Sequence, residues 1–382
     1  MPTAARPTPR MLVGLAVATL LLAAPSSLAA ESTDHERELA RIDEALASLQ
    51  EGAPAAPRLL VLRAGLTGNF ADYQAAESAL DDVLIWCEGC VDLLLLRADL
   101  HLKLHRPEAA GAVLDRILQD GGDADDPRLL TLRADAALQE GRIAAARAGY
   151  RDALAVRSSW DLLARLAYLE ANTGDVAAAE RLYVEAQDRL TAKEMRSYAW
   201  LELQRGILDL ERDEPGAALA HYRHAERAYS GYPLIGEHLA EALALLGQHE
   251  EAAARYRDLA ARTRIPEIVG ALARLVARED PIAAAALDAE AWELFEERRA
   301  LYPEAALGHF VEHLLARGAP GPDLIRLAEE NHRLRPNPDA KLLLARACLE
   351  TGKAARARTL VDEVLATPWR SPALDWLNQR VR

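Results

Sequence analysis

Ala146-Arg147-Ala148-Gly149-Tyr150-Arg151-Asp152-Ala153 decides the fold, because its skeleton, A-x3-Y-x2-A, returns at Ala179–Tyr183–Ala186 and at Ala218–Tyr222–Ala225. The three starts lie 33 and 39 residues apart. Upstream, Leu-Leu-Val-Leu-Arg-Ala (59–64), Leu-Leu-Leu-Leu-Arg-Ala (93–98) and Leu-Leu-Thr-Leu-Arg-Ala (129–134) almost superpose. Each unit therefore has two recurring halves, and a period near 34 residues built of paired helices is the signature of a helical solenoid. Such an array grows by stacking units, so 382 residues need not mean several domains.

Composition agrees. Hydrophobic residues make up 51% and aromatics only 5%, the excess being the Ala and Leu that closely packed helix pairs require. The first thirty residues differ in kind. Arg6 and Arg10 precede a 14-residue apolar run, Met11 to Ala24, followed by Pro25 and the small-x-small pattern Ser27-Leu28-Ala29. That is the pattern of a secretory signal peptide over 1–30, too short for a membrane span. The leader holds two Arg and no acid, leaving 43 basic and 59 acidic residues, net −16. This charge argues against nucleic acid as a ligand and suits a soluble chain, or one that attracts a basic partner. No later stretch is apolar enough to span a membrane.

After the leader, Ser32-Thr33-Asp34 offers N-caps for a helix over about 35–50, with Leu39, Ile42, Leu46 and Leu49 on one stripe. It is read as a capping helix, with its linker reaching residue 57. From about 58 the pattern is helix, turn, helix, loop. Gly141, Gly174, Gly247 and Gly352 mark turns inside units, and His105-Arg106-Pro107 and Asp213-Glu214-Pro215 fill the same place elsewhere. Pro233, Pro266, Pro303 and Pro336 are assigned to loops between units.

These features resemble the tetratricopeptide repeat, two antiparallel helices with small residues at positions 8, 20 and 27 and an aromatic near 24. Ala98, Ala134, Ala167, Gly206, Ala240 and Ala345 fall at position 8; Ala110, Ala146, Ala179, Ala218, Ala252 and Ala357 at position 20; Leu114, Tyr150, Tyr183, Tyr222, Tyr256 and Val361 at position 24. Small residues let two backbones approach, and the aromatic fills the cleft beside them. The family's early Trp is missing throughout, and the first unit aligns on either Ala64 or Gly68. The resemblance implies an all-α, right-handed α-solenoid of about nine helix pairs. Repeats in clear register span 58–266, degenerate ones 267–372, and a closing cap 373–382.

Three constellations invite chemistry. Trp86-Cys87-Glu88-Gly89-Cys90 has the W-C-x-x-C spacing of redox sites, but it follows one helix and precedes another, with no strand. In an oxidising compartment a local Cys87–Cys90 disulfide is the favoured state. His101 and His105 nearly complete a zinc spacing with that pair. A helix starting at Val91 would carry His101 about 15 Å from Cys90 at 1.5 Å per residue, too far for one ion. His309-Phe310-Val311-Glu312-His313 matches the H-x-x-E-H of inverted zinc peptidases, and His221 and His224 form another pair. Both pairs are read as exposed helix faces, with metal association the alternative and a zinc hydrolase at His309, Glu312 and His313 a third. No cofactor and no catalytic constellation is expected. Other carboxylates are placed on helix surfaces at i,i+4 from Arg.

The resemblance further implies that helix-A positions 2, 9 and 13 face a concave groove. They supply Asp92, Arg128 and Trp200; Asp99, Asp135, Tyr168 and Glu241; and Lys103, Gln139 and Asn172. The expected surface is acidic in its first half, with Tyr168 and Asn172 offering hydrogen bonds to an extended peptide, and apolar near Trp200. The functional expectation is an exported, non-catalytic scaffold that binds a protein or peptide, basic ones included, in the periplasm or outside the cell, serving envelope assembly, secretion or transport.

Overall fold

The computed structural model describes residues 32–50, 52–87, 89–318, 321 and 323–382, so the expected leader lies outside the described residues. Among these are twenty helices and no strand. After α1 (Asp34–Ser48) come nine antiparallel pairs: α2–α3 (Ala56–Thr67, Phe70–Trp86), α4–α5 (Val91–Lys103, Pro107–Gln119), α6–α7 (Pro127–Gln139, Ile143–Val156), α8–α9 (Trp160–Ala171, Val176–Asp188), α10–α11 (Met195–Glu211, Pro215–Ala228), α12–α13 (Pro233–Leu245, His249–Arg262), α14–α15 (Pro266–Val276, Pro281–Leu301), α16–α17 (Pro303–Ala316, Asp323–Leu334) and α18–α19 (Pro338–Glu350, Ala354–Leu365). A last helix, α20 (Pro372–Val381), closes the array.

The repeat register explains the packing. Every small residue named at positions 8 and 20 is buried, and so is every residue at position 24. Gly206 shows why size matters, since a Cβ there would lie 2.3 Å from Cε1 of the fully buried Tyr222. Burying each such aromatic contributes roughly 1.5–3 kcal/mol. The first unit is resolved too: Ala64 and Ala76 are fully buried twelve residues apart, while Gly68 is the left-handed C-cap of α2. Turns inside units behave as their residues dictate. Gly141, Gly174, Gly247 and Gly352 take positive φ, and His105 and Asp213 adopt the same left-handed backbone without being glycine. Pro233, Pro266 and Pro303, expected in loops, instead open α12, α14 and α16, where a missing N–H is harmless.

The eighth pair breaks the rule. Phe310 is the eighth residue of α16, counting from Pro303, where six other units place Ala or Gly. Its ring stacks on Phe295 at 5.0 Å and meets Trp292 edge-on at 4.9 Å, both from the unusually long α15.

The array winds back on itself. Tyr302 and Ala305 share a core with residues of α2–α6, and residues of α6–α8 share one with α15–α20. Between the stacked turns, Arg298 donates to the Gly68 carbonyl (3.1 Å), Tyr302 donates to Glu77 (2.6 Å), and the Arg370 amide donates to the Asn172 carbonyl (2.7 Å). The N-terminal helix does more than cap α2. Asp34 accepts from the Ser230 amide (3.0 Å) and hydroxyl (2.7 Å), and the His35 amide donates to the Ser230 carbonyl (3.1 Å). Glu38 accepts from Arg196 (2.5 Å) and Tyr229 (2.7 Å). Gly231 is required there: a Cβ would lie 2.4 Å from the Thr33 hydroxyl.

Candidate functional site

On the concave side of the first units lies a cavity of about 770 Å³, which is the scale of a ligand or peptide site. Its floor comes from α2, α4, α6, α8 and α10, the first helices of five consecutive pairs. Of the ten groove residues, the structure brings Asp99, Lys103, Asp135, Tyr168 and Trp200 onto this one cavity. Trp160, which sequence reasoning passed over, joins them and meets Trp200 edge-on at 6.0 Å. It opens α8 at register position 1, one place before the position 2 that Trp200 holds in α10, so a reading confined to positions 2, 9 and 13 misses it. Tyr168 and Trp200 are 40% and 36% exposed, so the aromatic surface is open to a partner.

The carboxylates are less free than their sequence suggests. Asp135 accepts from the Tyr150 hydroxyl (2.7 Å) and from Arg165 (3.0 Å), and Arg165 also reaches Asp161 at 3.3 Å. Burial and the neighbouring Asp135 push the Tyr150 hydroxyl well above its ordinary range. Asp99 lies 3.7 Å from Lys103. Arg58 and Arg196 add positive charge to the rim, so the expected acidic half-groove is balanced rather than acidic.

The other five groove residues take other places. Asp92 pairs with Arg128 at 2.6 Å. Gln139 donates to the Leu102 carbonyl (2.9 Å), joining α6 to α4. Asn172 is buried and its amide donates to the Tyr168 carbonyl (3.0 Å), so it binds the fold rather than a peptide backbone. Glu241, 3.2 Å from His238, lines a second cavity of about 640 Å³. Tyr232 lines both cavities and donates to the Gly65 carbonyl (3.1 Å), so the groove is bridged across rather than open along its length.

Each histidine pair has one member exposed as expected, His309 and His224, and one that is covered, His313 and His221. His313 is buried, 3.3 Å from Asp288, and burial lowers its pKa. His309 bonds Glu312 at 3.2 Å and faces the second cavity. The surrounding wall opposes its charge, but that bond and nearby carboxylates prevail and raise it to about 9, although the side chain stays more than half exposed. The two rings thus answer to different carboxylates. His221 bonds Glu202 at 2.8 Å, and Glu202 is also held by Gln187 and lies 3.3 Å from Arg205. Burial would raise this carboxyl, yet the His221 and Gln187 bonds hold it near 2. Among the described residues no group of three or more His, Cys, Asp or Glu is arranged to hold a metal ion. Nor is any helix among them long and apolar enough to cross a membrane. The Cys87 and Cys90 sulfurs are in close contact, with Cα atoms 5.4 Å apart, inside the disulfide range.

The chain matches no protein-family model and no curated protein. Among solved structures it is similar to the APC/C hetero-tetramer Cut9-Hcn1, at 14% identity over 91% of this chain and 60% of that one, with a TM-score of 0.49. It is also similar to yeast Tom70, at 13% identity over 90% and 93% of the chains and a TM-score of 0.42. A third likeness is to the human IFIT1 dimer with PPP-AAAA, at 15% identity over 87% and 86% with a TM-score of 0.43. With small residues at its helix crossings and Tyr beside four consecutive ones, the chain is a tetratricopeptide-like all-α solenoid.

Proposed function

We propose that this protein is an exported, non-catalytic interaction scaffold that takes a protein or peptide segment into the cavity around Trp160, Tyr168 and Trp200. The observation that carries this is the half-exposed aromatic cluster on a concave, helix-built surface, the kind of anchor site where a few residues supply most of the binding energy. Because Asp135 and Asp161 share Arg165, an apolar or aromatic anchor on the partner drives affinity. The −16 charge of the chain beyond residue 30 favours approach of a basic partner over distance. Export rests on the leader pattern at 1–30, and the Cys87–Cys90 contact suits an oxidising compartment.

The test is cross-linking and capture from envelope fractions with the intact chain, Trp200→Ala, Asp99→Lys and the surface control Trp86→Ala. Loss of the aromatic anchor should weaken capture at least tenfold, about 1.4 kcal/mol. Trp86, 89% exposed on the Cys87 turn, should be silent. Equal capture by Trp200→Ala and the intact chain refutes the site.

A further inference from the structure

A third cavity, of about 530 Å³, lies among α16, α17, α18 and α20 and shares no lining residue with the aromatic cavity. Its wall carries charges that no close ion pair settles, Arg335 and Asp339 attracting each other only across a distance. Arg335 and Arg346 have no carboxylate within 4.0 Å among the described residues, whereas Arg298, Arg165 and Arg147 each have one at 3.0 Å or less. The Arg335 guanidinium has a place made for it: a Cβ on Gly308 would stand 3.0 Å from its terminal nitrogen. Its Nε is buried with no partner. Arg346 lies over the Trp376 ring at 5.4 Å.

On the same wall, Asn331 is 1% exposed, and its side-chain oxygen has no hydrogen-bond donor. A buried acceptor left unpaired costs about 1–3 kcal/mol, so it marks a place where a donor is expected. Asp339 also lines the cavity without a cation within 4.0 Å. Between these polar groups the surface is apolar, formed by Leu342, Leu343 and Trp376.

We propose that this cavity binds a free apolar α-amino acid. The carboxylate would sit on Arg335 and Arg346, the ammonium on Asp339 and the Asn331 oxygen, and the side chain against Leu343 and Trp376. A zwitterion satisfies both unanswered charges at once, which a simple acid or amine does not. The volume is within the range of small-molecule sites. Glu312, already bonded to His309, sits at the edge and leaves Asp339 as the ammonium's acceptor.

The test is calorimetric titration of the full chain with L-leucine and L-phenylalanine. Three analogues accompany them: 4-methylpentanoate without the ammonium, isoamylamine without the carboxylate, and N-acetyl-glycyl-leucine as a chain terminus. Saturable binding of the free amino acid is expected, weakened at least tenfold in each analogue. Arg346→Gln and Asp339→Asn should each weaken it at least tenfold at unchanged melting temperature. Arg346 and Asp339 are solvent-accessible, so both variants should fold; Arg335→Gln serves as a third only if its melting temperature holds. Absence of saturable heat at millimolar amino acid overturns the proposal, as does undiminished binding by Asp339→Asn. Binding of N-acetyl-glycyl-leucine as tight as leucine overturns it in favour of a peptide terminus. None of these outcomes depends on Trp200, so the scaffold reading stands or falls separately.

Discussion

Adding one methyl group at Gly206 should destabilise the protein, although the same change in an open helix stabilises it. Gly206 lies inside α10, where Gly→Ala ordinarily gains about 1 kcal/mol in helix propensity. Here the new carbon would stand 2.3, 2.7 and 3.0 Å from three ring atoms of Tyr222. That ring cannot swing aside, being fully buried and stacked on His238 at 5.4 Å. Separating α10 from α11 by the missing ångström loosens their crossing, and overpacking of this kind costs about 1–3 kcal/mol, occasionally more. At an approach as close as 2.3 Å the cost falls in the upper half of that range, about 2–3 kcal/mol, so against the propensity gain the net loss should be about 1–2 kcal/mol. Gly111, inside α5, has nothing within 4 Å of its virtual Cβ and supplies the control. Urea unfolding followed by circular dichroism should place the midpoints in the order Gly111→Ala, native, Gly206→Ala. A Gly206→Ala protein as stable as the native chain would show that small residues at position 8 are not set by helix approach, and the packing account would fall with it.

Acid should act through Glu202. Its carboxyl, held near 2 against an ordinary 4.5, contributes about 3 kcal/mol, present in full above pH 4.5 and lost as pH falls toward 2. Melting temperatures of native protein and Glu202→Gln should therefore differ most at pH 7, draw closer below pH 4 and converge only near pH 2; parallel curves would refute this. Gly231→Ala should release the first turn of α1, because its methyl would overlap Thr33 and its φ of +79° disfavours a side chain. Hydrogen exchange at the His35 amide, bonded to the Ser230 carbonyl, should accelerate by more than tenfold; unchanged exchange would show that α1 is held elsewhere.

How much of this was legible in the sequence depends on the distance over which residues act. Small residues and Tyr at fixed spacing act between neighbouring helices, so the pairing is legible from periodicity, and the nine units and the buried Ala positions from the resemblance to the repeat family that this spacing carries. Phe310 was hidden because reading it requires knowing that α15 runs 21 residues and supplies Phe295 and Trp292. Asp135 reads as a free groove acid until Arg165, thirty residues on, is seen to neutralise it. Asn172 was assigned to a ligand because position 13 usually faces solvent, and only the returning Arg370 segment shows otherwise. His313 looked exposed on its own helix, and its burial comes from α14 and α15. The site was therefore legible as a surface, while its charge balance was not, since ion pairs between units carry no periodic signal.

The contact of Ser230 with Asp34, 196 residues earlier, alters how the chain must come apart. An open solenoid loses its units from the ends, each melting with only its neighbour to hold it. Here the first helix is fastened to the middle of the array, and the Gly68 and Asn172 carbonyls fasten early units to late ones. Fraying at either end must then break bonds in a distant unit, so the terminal units borrow stability from the centre. Closing such long loops also raises contact order and slows folding relative to an open array of equal length. The number of units becomes fixed as well: inserting or deleting one between α2 and α12 would carry Gly65 away from Tyr232, so this array cannot change length by single repeats without opening.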